Sequence, residues 1–148
     1  MSDLDVMLIL LPGLLGYATS AVCPIGKSAG ETVLWRPPAW VFGVVWPILY
    51  VLTGAAWYLA QRRSKRTGLV NLFMIGLMFS LNYWMYTYAC KRDKLQGVYV
   101  IMASLLLTFL VYTAMDSCFE CKLLMVPLLV WIFIALMLNA AEIQARYL

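Results

Sequence analysis

The sequence contains no histidine, and acidic and basic residues together fill only 12% of its 148 positions. Without imidazole the usual general base near neutral pH is missing, and so is the commonest metal ligand. Neither a Ser-His-Asp arrangement nor a histidine metal site can be built. Scarce charge also excludes a solvated surface. With 64% hydrophobic residues and a mean hydropathy of +0.85, the chain has more apolar surface than one soluble core of this size can hide. Its net charge of +4, scattered over loops, is too small a basic footprint for nucleic acid and suits lipid headgroups instead. Internal repeats and low-complexity segments are lacking too. Cysteine is sparse: Cys23, Cys90, Cys118 and Cys121, the last two in "CFEC". Without a second pair or a histidine these make a poor zinc set, and outside an α/β context a poor redox motif. Free loop thiols are expected.

What the chain does have is apolar length. Roughly 20 helical residues cross a hydrocarbon core of roughly 30 Å. Five such segments run from Val6 to Val22, Trp40 to Ala60, Leu69 to Cys90, Leu95 to Met115 and Lys122 to Ala141. The expected fold is all-α, an integral membrane bundle of five transmembrane helices in a single domain covering 1–148. The first segment carries Asp3 and Asp5 where a secretory signal would be basic, and no small-x-small site follows, so it reads as a retained helix. Orientation is not set by charge: Arg62, Arg63, Lys65, Arg66 and Lys122 fall on one side, Lys27, Arg36, Lys91, Arg92, Lys94 and Arg146 on the other.

Several residues do not suit a generic lipid anchor. The longest connection, residues 23–39, ends in "RPP", a rigid lead-in that starts the second helix near Ala39, because proline is tolerated where a helix begins. In that helix Trp46, Tyr50, Gly54 and Trp57 share one stripe, with Gly43 beside it. Trp35 and Trp40 fit an interfacial aromatic belt, whereas Trp46 lies deeper, where both helix packing and ligand contact fit. In the fifth segment Trp131, Ala135, Leu138, Asn139 and Glu142 form another stripe. Asn139 must point into the bundle, as interhelical glue or as a ligand contact, because an unpaired amide in hydrocarbon is costly. Glu142 is expected to reach the interface. Asn82 is flanked by Tyr83, Trp84, Met85 and Tyr86, and Ser104, Thr108 and Tyr112 suggest ordinary hydroxyl-lined helix contact. Such a bundle interior, aromatic and mildly polar, suits a flat apolar ligand with a few polar edges.

These residues resemble the translocator protein family (TspO/MBR, the peripheral-type benzodiazepine receptors). The family pattern W-x-P-P-x-W-V-F-x-x-V-W-x-x-L-Y-x-x-x-G is met by Trp35, Pro37, Pro38, Trp40, Val41, Phe42, Val45, Trp46, Leu49, Tyr50 and Gly54. A second, P-x-L-x-W-x-x-x-A-x-x-L-N, is met by Pro127, Leu129, Trp131, Ala135, Leu138 and Asn139, and the L-N pair of the third segment by Leu81 and Asn82. The resemblance implies a homodimer of five-helix protomers, each with a pocket lidded by the 23–39 loop. The ligands it implies are porphyrins such as protoporphyrin IX, sterols, and benzodiazepine-type compounds. No cofactor is required, and the porphyrin is a ligand. The membrane would be the mitochondrial outer membrane in a eukaryote and the cell envelope in a bacterium. The ligand-binding candidates are Trp46, Tyr50, Trp131, Ala135, Leu138, Asn139, Asn82, Trp35 and Trp40.

Two departures from the family stand out. Met85 holds the place of a family tryptophan while Trp84 comes one residue early, a rotation of about 100° that is expected to point its indole elsewhere. The Tyr-to-basic sterol motif is absent from the C-terminus, which lowers the expectation of a sterol role. Two further functions compete with the receptor or carrier reading. One is light- and oxygen-dependent porphyrin breakdown, for which Trp46 and Trp131 match the implicated indoles. The other is a small proton-coupled exporter, for which Glu142 is the intramembrane carboxylate.

Overall fold

The structure, a computed structural model, describes residues 3–23 and 38–147. Residues 24–37, and with them Trp35 and most of the expected lid, lie outside the described residues. The helices are α1 (Asp3–Val22), α2 (Ala39–Arg63), α3 (Thr67–Met85), α4 (Lys94–Ala114) and α5 (Phe119–Tyr147). A short π-helical segment, Tyr86–Cys90, extends α3. All five helices are long and apolar enough to cross a membrane, and the described residues contain no strand. Local chemistry sets the boundaries. Pro38 stands at the N-cap of α2 with φ −57°, and its carbonyl accepts from Val41 N at 3.0 Å. Asp93 caps α4 through its side chain, which accepts from Gln96 N at 3.1 Å.

Around the bundle the helices follow the order α3, α4, α5, α2, α1, and α1 closes back onto α3. Small residues allow the closest approaches. A Cβ added at Gly54 would lie 2.0 Å from the Ile9 carbonyl oxygen, so this glycine admits the backbone of α1 rather than a ligand. At Gly16 the added atom would lie 2.3 Å from the Tyr50 ring, which fills the space a side chain would take. Between α3 and α4, Ser80 and Ser104 share a 2.6 Å hydroxyl contact, and Thr108 donates to the Ser104 carbonyl at 2.7 Å. The Ser80–Ser104 contact joins the two helices, whereas the Thr108 bond stays within α4. Large apolar side chains such as Leu72, Phe79, Phe109 and Phe133 face outward, as a lipid solvent permits. At one end of the bundle Arg62 meets Asp5 and Arg63 meets Glu120, each at 3.1 Å, tying the α2–α3 turn to the starts of α1 and α5. The Arg63–Glu120 pair is exposed on both sides and contributes little stability, and in the other pair the Arg62 side chain is exposed.

The expectation of free loop thiols is overturned. Cys23 bonds to Cys90 and Cys118 to Cys121, which leaves no free cysteine among the described residues. The first pair is separated by 67 residues in sequence and meets only because α1 ends beside the end of the π segment. In the second, a left-handed Ser117 (φ 65°) turns the chain just before α5 and brings Cys118 to Cys121, three residues on, with 5.3 Å between their Cα atoms.

Candidate functional site

Near the end of the bundle where α2 begins, aromatic rings from three helices converge. Phe42 and Trp46 come from α2, Trp84 and Tyr88 from α3 and its π extension, and Trp131 from α5. With Ala135 and Leu138 they enclose a cavity of about 10 Å³. Trp46 packs against Trp84 at 6.0 Å between ring centroids and meets Trp131 edge-on at 6.3 Å. Tyr50 stacks behind Trp46 at 5.7 Å, Tyr88 stacks on Trp84 at 5.0 Å, and Phe42 meets Trp131 edge-on at 5.8 Å. Such offset and edge-to-face pairs each add roughly 0.5–1.5 kcal/mol beyond the area they bury. Among the described residues the space left over holds about one water.

Hydrogen bonding divides the indoles into two classes. Trp57 Nε1 donates to Asn71 Oδ1 at 2.8 Å, an acceptor shared with Gln61 Nε2 at 2.6 Å. Trp84 Nε1 donates to Asn139 Oδ1 at 3.2 Å. By contrast Trp46 Nε1, Trp131 Nε1 and the Tyr50 hydroxyl are buried and have no partner among the described residues. A buried donor left unmade costs roughly 1–3 kcal/mol. All three fall on or directly behind the cavity wall.

The geometry has counterparts among known proteins. The model of the TspO/MBR family matches residues 6–144. The chain belongs to this family. A tryptophan-rich protein TspO from Chlorobaculum tepidum is 33% identical to it over 140 residues, covering 87% of each chain. Another from Archaeoglobus fulgidus is 26% identical over 142 residues, covering 93% of this chain and 91% of the relative. Five apolar helices and TspO/MBR membership together make it an integral membrane protein.

The structure brings Trp46, Trp131, Ala135 and Leu138 of this TspO/MBR chain onto one cavity wall. Asn139 stands just behind, with its oxygen on the Trp84 indole and its amide nitrogen donating to the Lys94 carbonyl at 2.9 Å. Asn82 lies elsewhere. It accepts from Thr19 Oγ1 and donates to the Met78 carbonyl at 2.7 Å, joining α3 to α1 outside the cavity. Trp40 is 68% exposed at the rim. Trp84, expected to point elsewhere, faces the cavity. The buried face of α3 includes Leu77, Met78, Leu81, Trp84 and Met85, wide enough to take both of the last two inward.

Glu142, expected at the interface, is only 5% exposed. The physical reason is that α5 continues to Tyr147, so the carboxylate lies within the helix. It accepts from the Tyr88 hydroxyl and lies 3.5 Å from Lys94 Nζ. Tyr88 and Lys94 are the candidate residues that sequence reasoning missed. The π segment gave no periodic signal, and nothing in the sequence pairs the start of α4 with the end of α5. A second concavity, an open groove of about 400 Å³ between α2 and α5, is bordered by Ile48, Leu52, Val126, Val130 and Trp131. Its lining is wholly apolar, so it faces lipid without a polar group to orient a ligand.

Proposed function

We propose that the protein is a membrane receptor or carrier for a flat, mostly apolar ligand of the porphyrin class, protoporphyrin IX in particular, bound among α2, α3 and α5. The observation that carries this reading is the pair of buried, unpartnered indole donors, Trp46 Nε1 and Trp131 Nε1, at the wall of an aromatic cavity. Rings supply wide apolar faces, and donors without acceptors favour a ligand whose polar edges bring acceptors of their own. Tyr50, Ala135, Leu138 and Asn139 complete the wall and its backing. Ligand pockets of drug-sized molecules measure roughly 300–1,000 Å³. Binding therefore requires Trp46, Trp84 and Trp131 to swing apart. Sterols and benzodiazepine-type compounds belong to the same reading as apolar ligands of the opened cavity. Family likeness also favours a homodimer as the working unit.

Titration of the purified protein with protoporphyrin IX in darkness, then under light, tests the reading. We expect saturable quenching of tryptophan fluorescence with the porphyrin bands intact, and weaker binding for Trp131→Ala. Absence of saturable binding would sink it. The crossed indoles Trp46 and Trp131 favour one alternative, light-driven oxidation of the porphyrin by dioxygen, with an indole relaying the electron between them. Loss of the porphyrin bands under light, abolished by Trp131→Ala, would move the assignment to enzyme. Burial of Glu142 favours a second alternative, proton-coupled export, which predicts transport that collapses in Glu142→Gln.

A further inference from the structure

Behind the cavity wall lies an ion pair that the proposed ligand reading leaves without a use. Lys94 Nζ sits 3.4 Å from the centroid of the Tyr88 ring, 3.3 Å from the Tyr88 carbonyl and 3.5 Å from Glu142 Oε2. Tyr88 is itself part of the cavity wall, so one ring separates the ammonium from the cavity. The carboxylate is deep, but the lysine side chain keeps 14% of its surface accessible. Lys94 opens α4, at the end of the bundle where α1 finishes and α2 starts. A ligand entering there meets it early.

A buried ion pair is weak evidence for stability, because desolvation cancels most of the attraction and an apolar pair of similar volume does as well. Ionisable groups within a membrane bundle more often mark a ligand path. Here the pair is wired to the wall twice. Glu142 accepts from the Tyr88 hydroxyl, and Asn139, one turn earlier on α5, joins the Trp84 indole to the Lys94 backbone. Movement of Trp84 and Tyr88 to admit a ligand disturbs both connections. The Lys94–Glu142 contact is also longer than a close charge-assisted bond of roughly 2.7–2.9 Å, so a better-placed acceptor can draw the ammonium away.

We propose that Lys94 is the anchor for an anionic carboxylate substituent of the cavity's ligand, and that Glu142 holds the ammonium in place until that carboxylate arrives. The inference rests on the porphyrin-class reading above and adds to it a selectivity, for the dicarboxylic acid over its neutral esters. Lysine suits the task as a compact charge on a flexible stem that can change partners by rotation alone. Glu142 sets the threshold, since any incoming anion must displace it.

The test compares protoporphyrin IX with its dimethyl ester, titrated in darkness into protein held in zwitterionic nanodiscs. For the natural sequence we expect the acid to bind at least about tenfold more tightly than the ester. The double variant Lys94→Met with Glu142→Gln removes both charges of the pair together and should bring the ratio of the two Kd values close to one. Lys94→Arg should restore the preference. Glu142→Gln alone, whose amide oxygen can still accept from Tyr88, should raise it. Equal binding of acid and ester by the natural sequence would overturn the anchor while leaving the cavity reading intact, as would a ratio that survives the double variant. Binding of neither compound would overturn both. Repeating the titration with anionic lipid separates the ligand from a headgroup as the source of the anion. A preference abolished by anionic headgroups would assign Lys94 to the membrane surface instead.

Discussion

Individual donors distinguish residues that hold the fold from residues poised for a ligand. Trp57→Phe removes the indole donor to Asn71 Oδ1, an acceptor that keeps Gln61 Nε2, and should lower stability by roughly 0.5–1.5 kcal/mol. Trp131→Phe removes a donor that has no partner to lose and should change stability by less than about 0.5 kcal/mol, while weakening porphyrin binding roughly fivefold. Thermal unfolding in detergent, run beside the binding titration, checks both halves. A Trp131→Phe protein that unfolds as early as Trp57→Phe would mean that the orphan indole is structural. The sequence placed Trp46 and Trp131 on helical stripes but could not divide the indoles into these two classes. That division depends on whether Asn71 or Asn139 stands within reach, which only packing decides.

At the scale of single elements, α2 owes its position to Gly54. Gly54→Ala would set a methyl group 2.0 Å from the Ile9 carbonyl oxygen, where the opposing atom is backbone and cannot rotate aside. Overpacking of this kind costs roughly 1–3 kcal/mol. We expect α1 to detach from α2, read as faster proteolysis in the α1–α2 connection and a lowered Tm, and unchanged proteolysis would show that α1 adjusts freely. Helices themselves were legible in the sequence, because each is a run of apolar residues bounded by proline, glycine or charge. Their inward faces followed from the same 3.6-residue period. What escaped were features that the period does not encode. The π turn at Tyr86–Cys90 places Tyr88 against Trp84, and the long reach of α5 keeps Glu142 inside. Both are consequences of where a helix stops or widens, the least periodic part of its sequence.

Across the whole molecule, the two disulfides staple opposite ends of the bundle and differ in reach. In the chain-entropy account, closing a 67-residue loop stabilises by about 4 kcal/mol and closing the 3-residue one by about 1.5 kcal/mol. Cys23→Ser should therefore lower the Tm clearly more than Cys118→Ser, measured under non-reducing conditions. Equal losses would show that the long staple constrains little because the helices are already held by the membrane. The small cavity makes its own demand at this scale. With room for about one water, the cavity must widen to take a porphyrin, so the proposed reading makes the binding-competent form a minor member of the population. Apparent affinity is then reduced by the fraction of molecules that happen to be open. In stopped-flow mixing the observed rate should level off as porphyrin concentration rises, at a ceiling set by ring motion rather than by encounter. A rate that climbs without limit would mean that the door stands open. Substitutions that thin the ring cluster without removing the donors would raise affinity and speed together, so the tight packing that stabilises the empty bundle also acts as its throttle.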